Sequence, residues 1–303
     1  MSDYESIHGT RVKYLTSDPT LESSYEGQVW YNSTSGTNKA LVQIKAWSSS
    51  GAIGTARNAL GSAGTQTTAI VFGGQTSPPT RVNSTEEYSG ASWATGGNLG
   101  ETKSGVASAG TQTATLCSSG QTAPGTFTAN VEEYNGTSWS EQNNLSTPGT
   151  QLALGTMGTQ TAALGAGGYA AGGPPKITNE TEEYNGSSWT SGGNMGTNRA
   201  ALGAGGTQTA GLVFGGSDPS TTGKNETEEY NGTSWSEQNN LSTARSELCG
   251  MGIQTAALTG GGQPGGPPTS DVVITEEYDG TSWTSGGNIN TARSKMGRSG
   301  TQT

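Results

Sequence analysis

The sequence predicts an all-β fold, a six-bladed β-propeller, and its internal repeats are the main reason. A motif close to EEYNGTSW recurs five times, with its tyrosines at Tyr88, Tyr134, Tyr184, Tyr230 and Tyr278. Tryptophans follow at steps of 46, 46, 50, 46 and 48 residues, at Trp47, Trp93, Trp139, Trp189, Trp235 and Trp283. A period in the high forties without helical spacing is typical of four-stranded blades that stack to bury a common core.

The composition supports the same fold class. Of 303 residues, 50 are glycine and three are phenylalanine, while 29% are hydrophobic and 13% are charged. Such a chain favours many short strands joined by tight turns, with a thin core of small side chains. Low hydrophobicity could also indicate disorder, but a disordered chain would not keep tryptophan and tyrosine in register through successive repeats.

Within one repeat, residues 197–241, the pattern predicts four strands. TNRAALGAGG is the first, TQTAGLVFGG the second, NETEEYNG the third, and the segment around the tryptophan the fourth. Between the third and fourth strands, Asn231-Gly232 supplies the positive φ that a tight hairpin needs.

The two chain ends predict how the ring closes. Residues 290–303 have the pattern of a first strand with no blade after it. Residues 27–48 have a second strand around Trp30, a third at 42–45 and a fourth at Trp47, but no first strand. Joining the two ends would complete a sixth blade without a free edge. The predicted domains are an extended docking segment at 1–25 and the propeller at 26–303.

Paired glutamates precede each tyrosine, as at Glu228 and Glu229. Neighbours in a strand point to opposite faces, so the two carboxylates of a pair are not expected to converge on one metal ion. We expect one glutamate of each pair to meet an arginine of the same or the next blade, and the candidates are Arg57, Arg199, Arg245 and Arg293. A carboxylate ring that holds a divalent cation in the channel is the alternative. The repeated tyrosines and tryptophans are expected to pack between blades, with stacking on sugars as their alternative role.

Several function classes are disfavoured. The single histidine, His8, lies outside the repeats, and no HExxH, GxSxG or Cys/His cluster is present, so we expect no enzyme, catalytic residue, metal or cofactor. A net charge of −10 argues against nucleic acid as a partner. The sequence has neither an 18-residue apolar run nor the apolar stretch of a secretory signal, so membrane insertion is not expected. Cys117 and Cys249 stand at different repeat positions and are predicted to be buried thiols without a disulfide.

The loop after Gly-Gly differs in every repeat, whereas the connection between repeats barely changes. Variable loops on a regular scaffold are a usual place for recognition, and solvent-facing loops without a partner are the alternative. The candidate partner-binding residues are Arg81, Phe127, Tyr169, Lys176, Lys224 and Asp271.

The repeat resembles the kelch motif of β-propellers. The shared features are an arginine near the start of a strand, a strand that closes on Gly-Gly, Glu-Tyr before a turn, and a tryptophan followed by a polar segment with asparagine. The likeness spans roughly residues 26–303 and implies the propeller architecture. It implies no single function, because kelch-type propellers serve as adaptors, actin binders and oxidase scaffolds alike.

A second resemblance lies near the N-terminus. Residues 9–47, which include EGQVWYNSTSG, are similar to the opening of bacteriophage tail and tail-fibre proteins, and to kelch-like repeat proteins of marine phages. This resemblance implies a virion protein assembled in the host cytoplasm, oligomeric in the particle, with residues 1–25 docked on another virion protein. The displayed propeller would also contact a host-surface glycan or protein. The alternatives are a free carbohydrate-binding, lectin-like adhesin of bacterial origin and a kelch-like enzyme.

Overall fold

The structure is a computed structural model. It describes residues 13–17, 29–40, 50–77, 80–150, 157–171, 176–220, 223–265 and 270–296. The chain divides into two compact units between Ala46 and Trp47. The described residues form strands and turns and contain no helix. Nothing in the described part of the chain therefore meets the length and apolarity of a membrane-crossing helix.

The larger unit is a β-propeller of five blades. Each blade is a four-stranded antiparallel sheet in which neighbours in sequence are neighbours in space. The strands are, in blade 1, Gly61–Gly64, Ala69–Phe72, Thr85–Tyr88 and Trp93–Thr95; in blade 2, Ala107–Thr111, Ala114–Ser118, Val131–Tyr134 and Trp139–Gln142; in blade 3, Gly158–Thr159, Ala162–Ala166, Thr181–Tyr184 and Trp189–Ser191; in blade 4, Gly203–Thr207, Ala210–Phe214, Thr227–Tyr230 and Trp235–Gln238; and in blade 5, Cys249–Ile253, Ala256–Gly260, Thr275–Tyr278 and Trp283–Ser285.

Short strands lie outside these sheets, in the loops and connections. They are Gln75–Thr76 with Thr80–Arg81; Gln121–Ala123 with Thr126–Phe127; Gly149–Thr150 with Tyr169–Ala170 and Lys176–Ile177; and Arg245–Ser246 with Gln263–Pro264.

The smaller unit contains a three-stranded sheet. Val29–Asn32 pairs antiparallel with Thr37–Ala40 and parallel with Lys13–Leu15. The strand predicted around Trp30 is therefore present, but the third strand follows it after a tight turn. In that turn Gly36 has a φ of +67°.

The prediction of six blades is wrong, since five four-stranded sheets are present. The hairpin that begins at Val29 belongs to a separate compact unit, and its additional strand is Lys13–Leu15 rather than the predicted segment 290–303. Residues 290–296 form no strand, and residues 297–303, like 42–45 and Trp47, lie outside the described residues. The observed pairing is favoured because its strands are close in sequence. A partner strand at the C-terminus would close a loop several doublings longer, and each doubling of the loop length costs about 0.6 kcal/mol of conformational entropy.

Glycine makes close packing between neighbouring blades possible. A Cβ atom on Gly250 would lie 2.5 Å from the backbone nitrogen of Ala204, and one on Gly205 would lie 2.8 Å from the carbonyl oxygen of Gly252. Both distances are too short for any side chain, so the first strands of blades 4 and 5 approach with backbone against backbone. This explains how a chain so poor in large apolar residues builds a core.

The hairpins between the third and fourth strands show the predicted positive φ. The glycine of each has a φ between 86° and 90°. An asparagine before the glycine also stabilises the turn, because Asn135 Oδ1 accepts hydrogen bonds from the backbone nitrogens of Thr137 and Ser138, both at 2.9 Å. The loop thus spans four residues, between the paired Tyr134 and Trp139.

A glutamine in the turn after the first strand ties each of blades 2 to 5 to the preceding blade. Gln112 Nε2 donates to the carbonyl oxygens of Ala69 at 3.0 Å and Tyr88 at 2.7 Å. Gln160, Gln208 and Gln254 make the equivalent pair of bonds. The sequence alone does not show this role, because it depends on the neighbouring blade.

The buried tyrosines form a second tie between blades. Tyr230 Oη donates to Glu183 Oε1 at 2.5 Å, which joins blade 4 to blade 3. Equivalent bonds run from Tyr134 to Glu87, from Tyr184 to Glu133 and from Tyr278 to Glu229. In blades 1 to 4 the second glutamate of the pair therefore binds the tyrosine of the next blade, and packing between blades is the observed role of the tyrosine.

These tyrosines predict a loss of stability at alkaline pH. Burial, together with the adjacent carboxylate, raises the pKa of Tyr134, Tyr184 and Tyr230 to about 12 and also raises that of Tyr278. In the unfolded chain the phenol ionises near pH 10. The neutral form is therefore favoured by folding, and its contribution is complete below about pH 10 and lost as the pH rises through about 12. Urea unfolding across this range, with Tyr230→Phe expected to reduce the dependence, checks it; a flat profile would contradict it.

The tryptophans form a third set of hydrogen bonds between neighbouring blades, and one bond of this set is missing. Trp139 Nε1 donates to Thr85 Oγ1 in the preceding blade at 3.0 Å, and Trp235 and Trp283 bond Thr181 and Thr227 in the same way. The corresponding position in blade 2 is Val131, which packs in the same cluster as Trp189. Trp189 Nε1 is buried without a partner in the described part of the chain.

Replacing Val131 by threonine should supply the missing acceptor. We expect Val131→Thr to raise the free energy of unfolding by about 0.5–1.5 kcal/mol, the usual net value of one hydrogen bond. The matched change in the opposite direction, Thr181→Val, should lower it by about 1–3 kcal/mol because it leaves Trp235 Nε1 unsatisfied. Urea unfolding of the three chains measures both effects, and destabilisation by Val131→Thr would show that the threonine does not reach the indole.

Candidate functional site

The described parts of the variable loops lie on one face of the propeller. The connection that enters each blade pairs there with the loop that leaves the second strand of the same blade. The pairs are Asn58 with Gln75, Ser104 with Gln121, Gly149 with Ala170, Ala200 with Ser217, and Arg245 with Pro264. We call this surface the loop face.

Three of the six candidate partner-binding residues are engaged within the loop face itself. Arg81 Nη2 donates to Gln121 Oε1 of the next blade at 2.5 Å. Lys224 forms an ion pair with Asp218 at 3.1 Å. Asp271 accepts a hydrogen bond from Gln263 at 3.0 Å.

The other three candidates are arranged differently. Phe127 is half-buried in a short ladder opposite Gln121. Lys176 is exposed on the strand that pairs with Tyr169–Ala170. Tyr169 is half-buried and lines a cavity in blade 3. The structure thus does not bring the six residues together, and only Tyr169 borders a cavity.

Beneath the loop face, most blades hold a buried cation. In blade 4, Arg199 Nη1 donates to the carbonyl oxygens of Gly215 at 3.1 Å and Glu226 at 2.8 Å, and Nη2 donates to Glu228 Oε1 at 2.5 Å. We call this set of two carbonyls and one carboxylate the cation seat. Equivalent ion pairs join Arg57 to Glu86 at 2.9 Å, Lys103 to Glu132 at 3.0 Å and Arg245 to Glu276 at 2.8 Å.

The cation seat explains the first glutamate of each pair. Arg199 and Arg245 are fully buried, and burial lowers the pKa of Arg245 while Glu276 acts in the opposite direction. In blades 1, 2 and 4 the alternation of the strand therefore places one carboxylate of the pair on a cation and the other on a tyrosine. Arg293 departs from the prediction, because it is exposed and forms no ion pair within the described residues.

Blade 3 keeps the backbone of the cation seat but has no cation at the equivalent position. Leu145-Ser146-Thr147-Pro148-Gly149 stands where blade 5 has Leu241-Ser242-Thr243-Ala244-Arg245. The carbonyl oxygen of Gly149 accepts from Gly120 at 2.8 Å, as that of Arg245 accepts from Gly216 at 2.9 Å. Gly149 is therefore the structural equivalent of the arginine, and this exception could have been found by comparing the two connections in sequence.

A cavity lies where the missing side chain would be. It encloses about 350 Å³, including solvent at its mouth, and is lined by Gly149, Gly165, Gly167, Tyr169, Glu180 and Glu182, among others. Glu182 Oε2 accepts from the backbone nitrogen of Ser146 at 3.1 Å, as Glu276 accepts from Ser242 at 2.8 Å. The carboxylate is thus held in the same way as in the blades that carry a cation.

A second cavity lies where the first strands of several blades meet. Its volume is about 490 Å³, including solvent at its mouth, and it is lined by residues at the start of blades 1, 2 and 4 together with Glu247, Lys295 and Met296. Glu247 forms an ion pair with Lys295 at 3.0 Å. The alternative of a ring of paired glutamates does not apply here, because none of those pairs lines this cavity. Within the described residues, no three acidic, histidine or cysteine side chains are placed to hold a metal ion.

The two cysteines are buried and form no disulfide, as predicted. Burial raises the pKa of Cys117 to about 11, so its thiol stays protonated at neutral pH. Neither cysteine is therefore placed as a reactive nucleophile.

The β-propeller fold, with variable loops gathered on one face, is suited to binding other molecules. Neither protein-family models nor curated proteins gave a match to this chain, so its fold and geometry carry the functional argument.

Proposed function

We propose that this chain is a non-enzymatic structural protein of a bacteriophage virion, a tail, fibre or surface-decoration component that presents the propeller for protein–protein assembly and host-surface attachment. The observation that carries the binding part is the loop face, where the described parts of the variable loops lie on a scaffold of nearly uniform blades. The virion part is supported by the likeness of residues 9–47 to the opening of phage tail proteins.

The use of the repeated charged residues supports a role without catalysis. In blades 1, 2 and 4 both glutamates of the pair are engaged, the first with a cation and the second with a tyrosine of the next blade. Carboxylates engaged in this way hold the scaffold together and are not poised as general acids or bases.

The division of the chain supports a docking role for the N-terminal segment. Residues 1–46 form a compact unit separate from the propeller, so they can serve assembly while the loop face serves recognition. Within a virion the other partners would be neighbouring virion proteins.

Light scattering on the purified full chain, beside a chain that lacks residues 1–25, tests the proposal. We expect a defined oligomer for the full chain and a monomer for the truncated one, with circular dichroism confirming that both remain β-rich. Glu237→Gln, on an exposed outer strand, is the control and should leave the mass unchanged. A monomer in both cases would contradict an assembly component, and binding to a glycan array would then be the test of a free lectin-like adhesin.

A further inference from the structure

We propose that the cavity of blade 3 is a binding site for a guanidinium group, and that its ligand is an arginine side chain of a partner protein. The identity of the partner rests on the proposed function, whereas the chemistry of the site does not. The chain itself provides the template, because three other blades fill the equivalent place with the guanidinium of Arg57, Arg199 or Arg245.

All three acceptors of the cation seat are present in blade 3. In blade 4 they are the carbonyl oxygens of Gly215 and Glu226 and the carboxylate of Glu228. The residues at the same strand positions in blade 3 are Gly167, Glu180 and Glu182, and all three line the cavity. Gly167 donates its backbone N–H to the Glu180 carbonyl at 2.9 Å, as Gly215 does to Glu226 at 3.0 Å, so the backbone that presents the carbonyls has the same pairing.

Glu182 lacks the partner that its counterparts have. Its Oε2 is held by Ser146, but no hydrogen bond or ion pair reaches Oε1 within the described residues. In blades 1, 2, 4 and 5 the equivalent Oε1 binds a cation at 2.5–3.0 Å. A half-buried carboxylate that lines a cavity and has only one of its oxygens fixed favours a cationic ligand.

Two glycines make room for the ligand. Gly149 stands in the place of the arginine and has no side chain. Gly165 likewise has no side chain at the position where blade 4 has Val213 and blade 2 has Cys117. Both glycines line the same cavity, so neither of the side chains that other blades place at these two positions occupies it. Tyr169, on the variable loop, also lines it, and an aromatic ring can stack on a planar guanidinium.

The geometry favours a guanidinium over an ammonium ion. A guanidinium reaches two carbonyls and a carboxylate at once because its donors form a planar fork. In blade 2, where a lysine takes the position, the ammonium of Lys103 pairs with Glu132 at 3.0 Å and makes no hydrogen bond to the carbonyls. The cavity is lined by Gly149, Tyr169 and Ala170 of the loop face, so an arginine that projects from a protein bound to that face lies next to it.

Calorimetric titration of the full chain with methylguanidinium, at constant ionic strength, tests the site. We expect saturable binding of one ligand per chain, with methylammonium weaker by about tenfold or more because it cannot satisfy the carbonyls. Glu182→Gln should weaken binding by at least about tenfold. Glu237→Gln, which removes one negative charge from an exposed outer strand, is the matched control and should leave binding unchanged.

A second variant keeps the test independent of folding defects. Gly149→Arg should place the chain's own guanidinium in the cation seat, abolish methylguanidinium binding and raise the melting temperature. Absence of saturable binding to the unaltered chain, or equal binding by Gly149→Arg, would overturn the site.

The source of the guanidinium is tested with N-acetyl-arginine amide. Binding at least as tight as that of methylguanidinium supports a protein side chain, and exclusion of the amide would overturn the partner-arginine assignment in favour of a free guanidino compound. If Gly149→Arg loses methylguanidinium binding but keeps the oligomeric mass, the site stands apart from assembly. If the full chain is a monomer but binds methylguanidinium, the proposed function is wrong and the guanidinium site stands.

Discussion

Replacing Arg245 by alanine is expected to lower the free energy of unfolding by about 3–5 kcal/mol, because it leaves a buried carboxylate without its cation. Arg245 and Glu276 are both fully buried, and the guanidinium also donates to the carbonyl oxygens of Gly261 at 3.1 Å and Ile274 at 2.8 Å. The substitution therefore removes the guanidinium donor from three acceptors in a medium of low polarity, although Ile274 keeps the N–H of Gly261 and Glu276 keeps the N–H of Ser242. Urea unfolding followed by tryptophan fluorescence measures the loss.

Arg293 is the matched control for this experiment. It occupies the same place in the TAR motif but is exposed, so Arg293→Ala should change stability by no more than about 0.5 kcal/mol. The double variant Arg245→Met with Glu276→Leu should recover most of the loss, because an apolar pair needs no compensating charge. Equal losses for Arg245→Ala and Arg293→Ala would show that the buried ion pair is not what stabilises the connection.

Phe214→Ala is expected to cost a similar amount, about 3–5 kcal/mol, through the cavity it leaves. The ring of Phe214 is fully buried in blade 4 and meets the indole of Trp283 in blade 5 edge-on, with centroids 4.7 Å apart. Gly203 on the adjoining strand makes this possible, because a Cβ there would lie 2.2 Å from the ring. Thermal and urea unfolding should both show the loss.

Blade 3 shows that the backbone of this strand accepts alanine, because Ala166 stands at the position equivalent to Phe214. A loss of stability in Phe214→Ala is therefore due to missing packing contacts rather than to backbone strain. Phe72→Ala should reproduce the effect, since Phe72 meets Trp139 at the same 4.7 Å. A loss below about 1 kcal/mol at both sites would mean that the interface between blades collapses onto the smaller side chain.

The sequence predicted the unit of this fold better than the number of units. The four strands of a blade, the glycine in its hairpin and the alternation of paired glutamates all follow from patterns within one repeat, where local chemistry decides the structure. The blade count depended instead on pairing between distant segments. Residues 27–48 resemble part of a blade, yet their hairpin pairs with Lys13–Leu15, which is nearby in sequence.

The candidate site was predictable only in part. Variation among the loops identified the loop face and included Tyr169, which borders the blade 3 cavity. The cavity itself depends on Gly149 and Gly165, which lack the side chains found at the equivalent positions of other blades. Glycine carries no reactive group, so a sequence reading that looks for chemically active residues does not select them. Comparison of LSTPG with LSTAR carried the relevant signal, but its meaning required knowing that the arginine is buried against Glu276.

By itself, the sequence determined that this protein is a β-propeller of short, glycine-rich blades, because strand period, turn chemistry and repeat length are local properties. Only the tertiary structure decided that five repeats form the blades, that Gln112 and its counterparts bond the preceding blade, and that one cation seat lacks its cation. These features depend on atoms brought together from segments dozens of residues apart, and the packing of whole blades, rather than any local preference, places them within reach of one another.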